Sequence, residues 1–199
     1  VDVVLLDTSD LKSVPGNLQV DRVIEIIDHR KLHEAEKFVS AKAQIELVGA
    51  AATLVAERFK KAGVDPSTES ALLLLGGIIS NTHNFTSATT DRDRTMAAWL
   101  RDISEAPDDL ADQMFAAKSN LDGDRLQRVL RSDTKIFSIQ GKKIGTTQLE
   151  VKNVAELVRD RLSEVQKVIE EIRDANECDY AFVNMQDLDL FTSHVLCAD

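Results

Sequence analysis

Two short apolar runs rich in β-branched residues, each closing on an aspartate, constrain this chain more than any other feature. The first is Val1-Asp2-Val3-Val4-Leu5-Leu6 ahead of Asp7, and the second is Val23-Ile24-Glu25-Ile26-Ile27 ahead of Asp28-His29-Arg30. Runs of this length suit strands buried on both faces, which belong to parallel sheets covered by other elements. In an open parallel sheet, ligands gather beyond the carboxyl ends of the strands, so both runs deliver polar side chains to one edge. Leu47, Ala51, Leu54, Val55 and Phe59 recur at helical spacing and predict a helix over 46–61. Beyond Gly63 and Pro66, Ser67 or Thr68 caps a second helix that runs to Ile79 and opens into Ser80-Asn81-Thr82-His83-Asn84-Phe85. A third helix starts near Asp91 and carries Met96, Trp99 and Leu100.

Pro107, with the acidic residues around it, gives the best break in the chain. Helical patterns follow over 110–118 and 124–131, then a hairpin over 132–140 and 142–151 about Gly141. The stripe Val154, Leu157, Val158, Leu162, Val165, Val168, Ile169, Ile172 predicts a long helix over 153–175. Strands at 180–185 and near His194 follow. The expectation is an α/β parallel-sheet domain over 1–107 and a smaller α+β domain over 108–199. The chain starts and stops inside apolar runs, so both domains are expected to be truncated.

The formal net charge is -10, from 24 Lys and Arg against 34 Asp and Glu, with no long basic cluster. Non-specific attraction to nucleic acid or anionic lipid is therefore weak, and an anionic substrate must be held by local groups or metal ions. No apolar run reaches membrane-spanning length and the first residues lack a signal-peptide pattern, so a cytoplasmic protein is expected. Cys178 and Cys197 fit neither a metal finger nor a disulfide framework.

Polar clusters close three apolar elements: Asp7-Thr8-Ser9-Asp10, Asp28-His29-Arg30 and Ser80-Asn81-Thr82-His83-Asn84. On residue type alone there are two readings. Asp7 and His29 on adjacent strands suit a borderline divalent ion, with Asp28 orienting the ring. In the other reading, the commoner fate of such triplets, the aspartates cap loops and His29 is a hydrogen-bonded surface residue. Lys143 alone reads equally well as a solvated hairpin cation.

Asp28-His29-Arg30, then Glu46-Leu47-Val48-Gly49-Ala50-Ala51-Ala52-Thr53, then the run from Gly76 through Asn81 and His83 to Asp91 resembles the DHH phosphoesterase superfamily. Within it, the chain is similar to the branch of family II manganese-dependent inorganic pyrophosphatases, exopolyphosphatases and prune-type proteins. Met114-Phe115-Ala116-Ala117-Lys118, Asp133-Thr134-Lys135-Ile136-Phe137 and Gly141-Lys142-Lys143-Ile144-Gly145 resemble the start of that branch's C-terminal domain.

The resemblance implies a hydrolase of pyrophosphate or short polyphosphate, with its site in a cleft between two domains. It implies two Mn2+ ions, or Co2+ or Mg2+, in the full-length protein, and a homodimer. Asp7, His29 and Asn81 are the implied metal residues, with Asp7, His29 and Arg30 catalytic and Arg30 and Lys143 on phosphate. The family's amino-terminal histidine and aspartates and its carboxy-terminal Arg-Lys motif are not found, so an incomplete site is expected. Arg30 replaces the second histidine of the triplet, Asn81 an aspartate, and Thr8 the histidine usual in pyrophosphatases; His83 is an alternative ligand. A nucleotide or oligonucleotide phosphoesterase, and a regulatory homologue weakened in turnover, are the rival expectations.

Overall fold

The computed structural model describes residues 1–198; Asp199, the last residue of the expected second domain, lies outside the described residues. The chain folds as two compact units, the first Val1–Ala111 and the second beginning at Asp112.

In the first unit, Val3–Leu6 (β1), Val23–Asp28 (β2) and Lys42–Ile45 (β3) form a parallel sheet in that order. Leu5 lies opposite Ile26, Leu6 opposite Ile27 and Asp28 opposite Ile45. No apolar pattern signals β3, because Lys42-Ala43-Gln44-Ile45 has one large apolar residue and none that is buried. Backbone pairing with β2 makes it a strand. Only 3-10 turns at Leu11–Ser13, Val20–Arg22 and Ala35–Lys37 interrupt the two connections between these strands. The core around Leu5, Val23 and Ile26 takes in Phe38 from the second connection, while Ile27 packs with Val48 and Leu54. Each such side chain contributes roughly 1.5–3 kcal/mol by leaving water.

The first helix, α1, spans Ala51–Ala62 and starts later than its apolar spacing predicts. Residues 46–50 stay out of it because Glu46 N–H still donates to Asp28 O at 3.2 Å, prolonging the sheet, and Ala50 is extended. Thr68–Asn81 (α2) begins on Ser67, whose Oγ accepts from Ser70 N–H at 3.2 Å. Asp91–Ser104 (α3) begins on a capping box of Thr90 and Asp93, which satisfies amides left open by helix geometry. Leu110–Ser119 (α4) carries the chain across the unit boundary, so the division falls at 111/112 rather than at the expected 107/108.

The second unit holds Arg125–Ser132 (α5), Thr134–Ile139 (β4), Lys142–Val151 (β5), Val154–Ala175 (α6), Tyr180–Asp187 (β6) and Ser193–Ala198 (β7). Its sheet runs β4-β5-β6-β7, antiparallel, parallel and antiparallel in turn. Gln140 and Gly141, at φ 51 and 78, supply the left-handed pair that a two-residue hairpin needs. The parallel step from β5 to β6 is bridged by α6, whose Val165, Val168, Ile169 and Ile172 pack with Leu149, Val183 and Met185. Helix α6 is broken at Arg161 (φ -132, ψ 18), where the side chain leaves to donate to Leu121 O at 2.7 Å and to clamp Glu164. No helix among the described residues is long and apolar enough to cross a membrane.

Candidate metal centre

The parallel register decides which side chains meet at the sheet edge. Asp7 N–H donates to Ile27 O at 2.9 Å, carrying the β1–β2 pairing one residue past the strand, and Asp7 then turns left-handed at φ 59. That backbone conformation is unfavourable for an L-residue outside a special environment. Here the Asp7 carbonyl receives a hydrogen bond from Arg30 Nη2. The Asp7 carboxylate, half exposed, then lies 3.2 Å from His29 Nε2.

His29 is fixed at both ends. Its backbone N–H donates to Asp28 Oδ1 at 2.7 Å, and its Nδ1 lies 2.9 Å from Val48 O. A carbonyl and a carboxylate can only accept, so Val48 O favours a proton on Nδ1 and Asp7 one on Nε2, and the neutral ring keeps one of the two. The hydrogen bond with Asp7 is the largest influence on the imidazole and raises its pKa above the ordinary value. Burial opposes this, while the Val48 carbonyl and the charges of Asp7 and Asp28 add to the rise.

Asp28 is fully buried, and its hydrogen bonds go to groups other than the ring it was expected to orient. It accepts from Ser9 Oγ and from the His29 backbone, with Arg30 Nε 3.7 Å away. The ring is oriented instead by the Val48 carbonyl, a backbone group that no side-chain pattern reveals. Arg30 spreads over the loop, with Nη1 3.5 Å from Asp10 while Nη2 bonds Asp7 O. Three acceptors therefore converge on the guanidinium expected on phosphate.

Asn81, the last residue of α2, brings its Nδ2 to 3.4 Å from His29 Nε2; turning the amide over puts the carbonyl oxygen there instead. His83 starts a left-handed run with Asn84 and Phe85, at φ 46, 52 and 66. Among the described residues, the His, Cys, Asp and Glu groups whose ligand atoms gather within 4.8 Å of one another are Asp7, Asp28 and His29. One outward carboxylate, one imidazole nitrogen turned to the same point and a buried carboxylate behind them are a donor set that fits manganese or cobalt. Lys143 lies in the second unit, where its N–H donates to Asp179 Oδ2 and its carbonyl accepts from Asp179 N–H, both at 2.8 Å.

Residues 112–199 match the model of the DHHA2 domain. A manganese-dependent inorganic pyrophosphatase of Methanothrix thermoacetophila is 32% identical over 173 residues, 84% of this chain and 56% of that protein. A cobalt-dependent inorganic pyrophosphatase of Clostridium perfringens is 33% identical over 154 residues, 76% of this chain and 28% of that protein. The chain thus spans about half, or less, of the length of these curated relatives. A solved structure from Methanococcus jannaschii assigned to family II inorganic pyrophosphatase superposes with a TM-score of 0.79 at 26% identity, covering 99% of this chain and 68% of that one. Residues 112–199 thus match the DHHA2 domain, and the chain is similar in sequence and in fold to manganese- and cobalt-dependent inorganic pyrophosphatases.

Proposed function

We propose that this chain forms part of a metal-dependent hydrolase of inorganic pyrophosphate, with Asp7 and His29 as metal ligands and Asn81 as a weaker third. The observation that carries this reading is the 3.2 Å approach of the Asp7 carboxylate to His29 Nε2 at adjacent strand ends, with Nδ1 tied back to Val48 O. The relatives' names supply the substrate and the metal, manganese or cobalt. Such an ion supplies a polarised water and positive charge against phosphoryl oxygens.

The protein groups have separable tasks. Asp7 contributes negative charge and a hard oxygen. His29 must be neutral to bind through Nε2, so metal competes with the proton that Asp7 favours, and affinity rises with pH until that proton is gone. Arg30 holds the Asp7 carbonyl and faces Asp10 and Asp28 as well, so a phosphate there competes with three acceptors for the guanidinium. For Lys143 as a phosphate contact, two ions per site, short polyphosphate as a further substrate, a homodimer and a cytoplasmic setting, the family resemblance is the support.

One observation favours a second reading. The side chain that α2 brings to His29 Nε2, Asn81, is an amide rather than a carboxylate, which lowers the charge available to a second ion and suits a homologue weakened in turnover. The test is phosphate release from pyrophosphate and tripolyphosphate with Mn2+, using the full-length protein and its His29→Ala variant. Metal-dependent release from pyrophosphate that His29→Ala abolishes supports the first reading. Mn2+ binding without release favours the second, and absence of Mn2+ binding ends both.

A further inference from the structure

We propose that Asp93 is a positioning residue for His29, acting through the peptide group between Val48 and Gly49. That group is held from both sides. Its carbonyl, on Val48, receives His29 Nδ1–H at 2.9 Å, and its N–H, on Gly49, donates to Asp93 Oδ2 at 2.8 Å. Asp93 is 44 residues away from Gly49 in sequence and fully buried. An anion on the N–H side of an amide pushes electron density toward the carbonyl oxygen, which makes that oxygen a better acceptor. The imidazole proton is thereby drawn to Nδ1, and the Nε2 lone pair is left facing Asp7.

The carboxylate is built to stay charged and in place. Thr53 Oγ1 donates to Oδ1, while Thr90 N–H and Oγ1 join Gly49 on Oδ2, so four donors surround two oxygens. Burial alone would raise its pKa, but these bonds outweigh it and hold the carboxyl below the usual range. Gly49 is part of the device. A Cβ there would stand 2.6 Å from Thr82 Cγ2, 2.8 Å from Ala88 O and 2.9 Å from Asp93 Oδ2, so only glycine allows the peptide this close to the carboxylate. The capping box of α3 would need Thr90 and Asp93 without any bond to Gly49. Contact with a residue two helices earlier is what the helix start does not require.

In the neutral ring two tautomers compete, Nδ1–H on the Val48 carbonyl and Nε2–H on the Asp7 carboxylate. Only the first leaves Nε2 open to a metal. The relevance to metal binding rests on the reading of His29 as a ligand; the tautomer itself is measured without metal. Ring 15N shifts of His29 in the metal-free protein, at a pH where the imidazole is neutral, are expected to show Nδ1–H as the main form. Asp93→Asn keeps an oxygen for the Gly49 amide and removes the charge. It is expected to raise the Nε2–H share and to weaken Mn2+ binding about tenfold, the low end for groups that support a ligand.

Thr53→Val removes only the bond to the far oxygen, Oδ1. It is expected to lower stability while leaving the tautomer and Mn2+ affinity unchanged. An Asp93→Asn protein with the wild-type tautomer, or a Thr53→Val protein shifted as far as Asp93→Asn, would overturn the proposal. If Asp93→Asn does not fold, the wild type still decides, because Nε2–H as its main neutral form is equally fatal. Loss of Mn2+ binding in the wild type itself would end the metal reading and leave the tautomer to judge Asp93.

Discussion

Asp93 in the first unit and Asp187 in the second are the same chemical device put to different ends. Both are buried carboxylates that receive the open amides of a helix start. Asp187, at the end of β6, takes Val154 N–H from α6 at 2.8 Å, together with Asp189 and Leu190 N–H at 2.9 and 3.0 Å. Helix α6 needs this acceptor because Asn153, left-handed at φ 56, makes no side-chain cap of its own. In both cases burial pushes the carboxyl pKa up and the hydrogen bonds carry it below the ordinary value, helped at Asp187 by the charge of His194. What differs is the far side of the amide. Behind Val154 lies an apolar core, whereas behind Gly49 lies the peptide that orients His29. A buried charge is therefore no guide to function until the groups beyond its partners are known.

The sharpest way to break that contrast is Asp187→Ala. It strands three backbone donors, one of them at the buried start of α6, and is expected to cost about 3 kcal/mol of stability, read by denaturant unfolding, with Mn2+ affinity unchanged in the folded protein. Altered affinity at equal folding would show that the two carboxylates are not separable. Next, His29→Ala is expected to weaken Mn2+ binding at least about 100-fold, above the range for supporting groups, with little change in unfolding; calorimetric titration decides. Retained affinity would remove the site from the first unit.

A smaller gain is expected from Asn81→Asp, about tenfold tighter Mn2+ binding, because it adds ligand charge beside Nε2. No gain would mean that the amide is not at the metal. The last effect is the decline in acid. Folded-state pKa values of Asp93 and Asp187 lie below their unfolded values near 3.8, so their contribution is present above that value and is lost as pH falls through the lower, folded-state pKa. Stability measured against pH below about 4 should fall less steeply in Asp93→Asn and Asp187→Asn than in the wild type. Parallel curves would contradict the assignment.

Much of the fold was legible because periodicity reports burial. The stripe of α6, the runs of β1 and β2 and the Gly141 hairpin all bury one face or both, and all form within a few residues of expectation. Strand β3 was not legible, since an exposed edge carries no apolar signal. The start of α1 was overrun because helical spacing continues through residues that the sheet still claims. In the site, Asp7 and His29 were named from their places at strand ends, and Asn81 from the family resemblance. A helix start near Asp91 was expected, but the Thr90 and Asp93 cap and its bond to Gly49 were not.

By itself, the sequence determined which side chains stand at the ends of the buried strands, because alternation, length and β-branching are properties of a segment and its burial. Only the tertiary structure decided what each of those side chains touches. The Val48 carbonyl on His29, Arg30 turned onto the Asp7 carbonyl and Asp93 behind Gly49 join segments 19, 23 and 44 residues apart, through backbone atoms that every residue possesses. Backbone donors and acceptors carry no sequence signature, so their partners follow from the packing of sheet and helices alone.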